Sequence, residues 1–183
     1  MKFCSKSKKK FFNGFTLAEV LVYVAVLMVV VLAVSSFFLW IVRSNAKAKA
    51  AREVLDSARM AMGIITSEIR DARSVYTPTS LFASSEGQLS LETEKYLISD
   101  ETVGFVDFYL CGKQICFKKE GQAPFAITSD KTEVESLEFF QIAATSSAPS
   151  IQIDLTINYQ GPVSRPEFQA SINLESTASL RNY

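Results

Sequence analysis

The chain has 183 residues, 48% hydrophobic and 21% charged, with 19 basic and 19 acidic side chains. That length fits one domain, and the composition excludes collagen-like, low-complexity and wholly disordered chains. Histidine is absent and the only cysteines are Cys4, Cys111 and Cys116. Ser-His-Asp and Cys-His nucleophiles, His-containing metal sites and four-thiolate zinc sites are therefore excluded. No enzymatic constellation and no cofactor are expected.

The zero net charge hides an asymmetry. Residues 1–14 carry five Lys and no acid, and residues 15–42 carry only Glu19. Residues 43–73 are net +3 and residues 74–183 net −7. Residues 20–42 form a 23-residue stretch without formal charge, broken only by Ser35 and Ser36. About 20 apolar helical residues cross a bilayer core, so this stretch is long enough to span. Lys2, Lys6, Lys8, Lys9 and Lys10 should hold the leading end in the cytoplasm, outweighing Arg43, Lys47 and Lys49 beyond it. The predicted topology is a single-pass inner-membrane protein with its C-terminal part outside. Trp40, Phe37 and Phe38 fall at the outer interface, where aromatics are favoured. A secretory signal peptide has a shorter apolar core of about 7–15 residues and a small-x-small cleavage site, which this chain lacks. A simple anchor leaves Glu19 unexplained. An unpaired acid at that depth costs roughly 2.5–3.5 kcal/mol on insertion scales, less near a helix end. Glu19 is either a boundary residue that reaches water or a charge that meets a cationic partner.

The string Lys8-Lys9-Lys10-Phe11-Phe12-Asn13-Gly14-Phe15-Thr16-Leu17-Ala18-Glu19, followed by the apolar stretch, resembles the type III signal of the type IV pilin family. The resemblance implies that a prepilin peptidase cuts between Gly14 and Phe15 and that Phe15 is N-methylated. Glycine offers a membrane protease an unhindered backbone at the cut. Cutting creates a positive α-amine in apolar surroundings, and Glu19 of the same or a neighbouring subunit can neutralise it. Two such charges are tolerable together and costly apart. The family pattern often has Pro where this chain has Ser36, which weighs against a major subunit.

Beyond the membrane, Val54, Ala58, Ala61, Ile65, Ile69 and Ala72 recur at helical spacing and predict one apolar stripe. Arg52, Glu53, Asp56, Arg59, Glu68, Arg70 and Asp71 fall largely off it. A helix from Phe15 to about Ser74 would be about 90 Å long at 1.5 Å per residue, ended by Pro78. Four segments follow: a removable leader (1–14), a transmembrane assembly helix (15–42), an amphipathic continuation (43–74) and a β-rich head (75–183). In the head, Ile151, Ile153, Leu155, Ile157 and Tyr159 alternate with polar residues, as do Phe168, Ala170, Ile172 and Leu174, predicting half-buried strands. Residues 103–111 and 114–119 predict a hairpin around Gly112-Lys113. Residues 134–142 read as a less regular strand, and 89–91 and 96–98 as short ones. The expected fold is α+β, the long helix packed against one antiparallel sheet. Cys111 and Cys116 flank the hairpin turn on the non-cytosolic side, where a disulfide, two free thiols or a redox pair are the alternatives. The bridge is the favoured one, as a local staple.

A second resemblance covers the head. Ser67-Glu-Ile-Arg-Asp-Ala-Arg-Ser-Val75 at the helix end, the later strand segments and the terminal Ser179-Leu-Arg-Asn182 look like minor pilins and J-type minor pseudopilins. It implies incorporation into a type IV pilus-like or type II secretion filament, in initiation or at the tip. The implied partners are the prepilin peptidase, other pilins through the N-terminal helix, the inner-membrane assembly platform and, before assembly, lipid. Head acids such as Asp100, Glu101, Asp107, Asp130, Glu133, Glu135 and Glu138 show no EF-hand spacing and read as solvent-facing charge. A net −7 head disfavours nucleic acid. The alternative is an uncut bitopic binding or adhesion module, in which Gly14 and Phe15 have no role. A membrane-anchored hydrolase has no residue constellation behind it.

Overall fold

The computed structural model of the protein describes residues 14, 16–97, 102–142, 149–162 and 165–181. The leader lysines, Cys4, Phe15, Ile98, Asp100, Glu101 and Asn182 lie outside the described residues. Two compact units divide the chain, residues 1–42 and 43–183.

Helix α1 runs Leu17–Asp71. Within the first unit it continues unbroken through Ser35 and Ser36, and Ser36 Oγ donates to Ala33 O at 2.9 Å. Phe37 and Trp40 stack with ring centroids 6.2 Å apart.

The second unit is built on the remainder of α1, where the expected stripe is buried: Val54, Ala58, Ala61, Ile65, Ile69 and Ala72 are all 0–2% exposed. Ala50, Ser57, Met62 and Glu68 join them. Ala58 and Ala61 keep the face flat, so a sheet can approach the helix backbone. The helix stops at Asp71, earlier than Pro78 would require. Ser74–Val75 is captured as strand β1, pairing with Glu92 and Leu91 of β2 (Leu89–Thr93). The sequence pattern does not register so short a strand.

β1 and β2 continue through β3 (Gly104–Cys111), β4 (Gln114–Lys119) and β5 (Phe125–Ala126) in one antiparallel sheet of order β1-β2-β3-β4-β5. β6 (Thr132–Ile142), β7 (Ser150–Tyr159) and β8 (Ser171–Ser179) make a second antiparallel sheet. The α+β architecture therefore has two sheets where the sequence reading expected one. Both contribute to a single core with the helix: Leu89, Leu91, Val106, Phe108 and Ile115 from the first sheet, and Leu137, Phe139, Ile151, Ile153, Leu155 and Ile157 from the second. Each such side chain stabilises by about 1.5–3 kcal/mol relative to exposure.

Three local expectations are corrected. Tyr96 and Leu97 are not in a strand. Phe168 closes a 3-10 turn, Pro166–Phe168, and stacks on Tyr159 at 5.9 Å; the alternation runs on through the turn, but pairing begins only at Ser171. The irregular pattern of β6 arises from a register shift between Val134 and Ser136, a bulge that brings Val134, Leu137 and Phe139 all inward.

Two polar clusters position the elements. Ser129 Oγ donates to Glu53 Oε1 at 3.0 Å, and Ser129 N–H donates to Ser57 Oγ at 3.1 Å. Buried Ser57 Oγ and Thr132 Oγ1 lie 3.1 Å apart. These bonds fix the rotation of the helix beneath the loop before β6. The other cluster sits at the helix end. Glu68, placed off the stripe by its charge, is 8% exposed and accepts from the Tyr96 hydroxyl at 3.0 Å, with Lys95 Nζ 3.7 Å away. Lys95 Nζ also donates to Asp71 Oδ2 at 2.6 Å. That bond holds the Asp71 carboxyl below its ordinary value and the Lys95 ammonium above its own. Burial, then the Glu68 charge, pushes the Tyr96 phenol up.

The outer rim of β6 is closed by the segment preceding β2. Leu137 N–H donates to Ser85 O at 3.0 Å, Gly87 N–H to Leu137 O at 2.8 Å and Ala83 N–H to Phe139 O at 2.9 Å. A Cβ on Gly87 would lie 2.6 Å from Leu137 O, so only glycine permits this approach. Ala83 takes a φ of 53° to complete the seal.

Candidate processing and assembly segment

The functional residues read from the sequence cluster where α1 begins. Leu17 is the first helical residue, which makes Thr16 the N-cap and Glu19 the third helical position. Thr16 Oγ1 accepts the Glu19 N–H at 3.3 Å, satisfying one of the orphan donors of the first turn. Thr16-Leu-Ala-Glu19 thus has the spacing of a capping box, and an acid in the first turn also suits the positive end of the helix dipole. One turn on, the Tyr23 hydroxyl donates to Glu19 Oε1 at 3.4 Å. Before any second chain arrives, Glu19 thus has one helix-local partner on its backbone N–H and one on its carboxylate. Among the described residues it makes no ion pair. Gly14 has open space around the position a Cβ would take, so its role is not steric accommodation within this chain.

Nearly every large apolar residue from Leu17 to Val42 is exposed, Leu17 at 80%, Leu32 at 70% and Trp40 at 64% among them. The helix is long and apolar enough to cross a membrane, and none of its apolar window is buried inside the chain. A contiguous bare apolar surface of this kind suits contact with lipid or other helices.

The family model for the prokaryotic N-terminal methylation motif matches residues 9–35. The chain carries that motif. It spans Gly14, Phe15, Thr16, Glu19 and Tyr23 and runs into the apolar helix. This prepilin-type motif supports a pilin-like protein, and the long apolar helix fits a bitopic membrane anchor. Neither the curated proteins nor the solved structures include a match to this chain.

Cys111 and Cys116 lie far from this segment in sequence, at the hairpin turn of β3 and β4. The structure joins them by a disulfide with Cα atoms 5.8 Å apart, inside the usual range for a bridge. Cys111 faces Gln114 and Cys116 faces Tyr109, so the bridge runs diagonally across the two-residue turn, whose Gly112 has φ +70°. Lys113 beside it receives Val134 N–H on its carbonyl at 2.9 Å and pairs with Glu133 at 2.7 Å. The stapled turn is thereby carried to the start of β6. Among the described residues no three His, Cys, Asp or Glu side chains gather to hold a metal ion.

Two contributors escaped the sequence reading. Tyr23 was absorbed into the apolar run, although its spacing of four from Glu19 places both on one helix face. Thr16 was read only as part of the motif string, although Thr-x-x-Glu before an apolar run is itself a helix-start signal.

Proposed function

We propose that this chain is a minor pilin or pseudopilin with a structural, non-enzymatic role. It is cut after Gly14, methylated on Phe15, held in the inner membrane with its head outside, and then incorporated into a type IV pilus-like or type II secretion filament. The observation that carries the reading is the methylation motif running directly into a helix long and apolar enough to cross a membrane. In the membrane, the Glu19 carboxylate has the Tyr23 hydroxyl as a helix-local donor before assembly, while the Thr16 cap holds its backbone N–H. During assembly the Phe15 amine of the same or a neighbouring chain joins or replaces this weak donor, and the pair sets the axial register of the packed helices. Ser36 in place of the family's Pro, with the helix continuous through it, supports a subunit outside the main shaft, in initiation or at the tip.

Intact mass after co-expression with a prepilin peptidase tests this reading. The expected product lacks residues 1–14 and carries one added methyl. A full-length mass beside a peptidase that processes a control substrate refutes it and leaves an uncut membrane-anchored binding module.

A further inference from the structure

β8 is the outer strand of the three-stranded sheet. Its register shows which of its backbone groups face away from β7. Tyr159 N–H donates to Ala170 O at 2.7 Å, one step beyond the Asn158–Ser171 partners. In an antiparallel ladder hydrogen-bonded pairs recur at every second residue. Residues 172, 174, 176 and 178 therefore bond to β7. The N–H and C=O groups of Ser171, Asn173, Glu175, Thr177 and Ser179 point outward, and all five residues are exposed. Among the described residues, no strand, turn or loop backbone bond reaches this row.

The other rims are guarded. β1 and β5 have two residues each, and β6 is sealed by the 83–87 segment. β8 has nine residues in unbroken register, with no Pro, Lys or Arg and one charge, Glu175. Long, regular edges of this kind are templates for another strand, and the devices that usually blunt them are missing here.

We infer that β8 pairs antiparallel with β8 of a second copy of this chain, about a two-fold axis at Leu174. The row is self-complementary in that register. Asn173 of each copy faces Glu175 of the other, and Ser171 faces Thr177. Asn173 Nδ2 spends one hydrogen on Thr156 Oγ1 at 3.1 Å and retains a second for the carboxylate. Glu175 Oε1 takes Gln152 Nε2 at 2.9 Å, leaving Oε2 for that amide. On the core side, half-buried Leu174 meets its own copy in a close non-hydrogen-bonded pair. Moving the axis to Glu175 sets the two carboxylates directly opposite, which is destabilising. Moving it to Asn173 shortens the paired stretch.

The test uses the full chain with Cys4→Ser in detergent micelles, oxidised and run on a non-reducing gel. Leu174→Cys should give at least tenfold more covalent dimer than Ser176→Cys, because Ser176 faces Ile172 in this register. Mixing Ser171→Cys and Thr177→Cys chains, both altered at exposed positions that leave the core intact, should give heterodimers and few homodimers. Adding Asn173→Pro should abolish both products while the chain keeps its near-UV circular dichroism, since the lost N–H points away from β7. Equal cross-linking at Leu174 and Ser176, or no heterodimer from the mixed chains, would overturn the inference. These readouts are independent of whether the peptidase cuts after Gly14.

Discussion

The Glu68–Tyr96 contact offers a quantitative check on how the head is fastened to α1. Tyr96→Phe removes a hydroxyl that donates at 3.0 Å to a carboxylate whose side chain is 10% exposed. Hydrogen bonds to charged groups contribute about 1.5–3 kcal/mol, and a buried carboxylate has little water to replace the donor. Glu68 Oε2 already has no hydrogen-bond partner among the described residues. Lys95 Nζ, 3.7 Å from Oε1, can move closer and recover part of the loss. The expected cost is therefore in the lower half of that range, about 1.5–2 kcal/mol. For a chain of this size that is a fall of roughly 3–8 °C in melting temperature. Glu68→Met keeps the helix propensity and fills the same space with an apolar chain, but it leaves the half-buried Tyr96 hydroxyl without its acceptor, so it should cost about 1–2 kcal/mol. In the double variant the Tyr96→Phe penalty should shrink by at least about 1 kcal/mol, because the hydroxyl no longer has a charge to satisfy. Urea unfolding of the full chain in mild detergent, followed by near-UV circular dichroism, measures all four corners of the cycle. Additive effects would show that the two side chains are not coupled and refute the reasoning.

Gly14→Val should leave a full-length mass after co-expression with an active prepilin peptidase, while expression and membrane insertion are unchanged. Glu19→Ala should insert and be cut, yet be absent from purified filaments that contain the wild-type subunit; incorporation at wild-type levels would sink the pairing with Phe15. Lys95→Met should cost about 0.5 kcal/mol at neutral pH, the scale of a partly exposed pair. With Asp71 lowered below 3.8 and Lys95 raised above 10.5, that contribution is fully present between those two values. It is lost as pH falls through the lowered Asp71 value or rises through the raised Lys95 value, so paired melts at pH 2 and pH 7 check it. Cys116→Ser should cost at most about 2 kcal/mol in chain-entropy terms, because the closed loop is short. A larger fall in denaturation midpoint would mean that the staple also holds the turn against β6.

Much of the fold is legible because its faces are periodic. Val54 to Ala72 keep helical spacing without interruption, and Ile151 to Ile157 alternate strictly, so burial follows pattern. Gly112-Lys113 marks its hairpin because the turn requires a left-handed residue. Where the reading fails, long-range contacts decide. Glu68 is charged by type, but its carboxylate meets Tyr96 twenty-eight positions on, which no local window contains. The split into two sheets depends on where the edges of β4 and β6 find partners, and single-strand alternation does not encode that. Phe168 keeps the right parity and still turns away, because Pro166 opens a 3-10 turn. At the processing segment, Gly14, Phe15 and Glu19 are legible as a string. The hydroxyls of Thr16 and Tyr23 have only weak local signals, a Thr-x-x-Glu start and a spacing of four, and their bonds to the Glu19 N–H and carboxylate appear in the folded helix.

The closed rim of β6 determines valence. A sheet open at one edge joins one neighbour and stops; a sheet open at both edges propagates without limit. Gly87, by letting the chain pass within hydrogen-bonding reach of Leu137, closes the β6 side, so that with the proposed β8 pairing the sheet takes one neighbour. One methyl group there would lift the 83–87 segment from the rim and expose a second row of unpaired amides. The head would then carry two adhesive sides and could stack edge to edge into runaway aggregates, outside the control of the membrane helix.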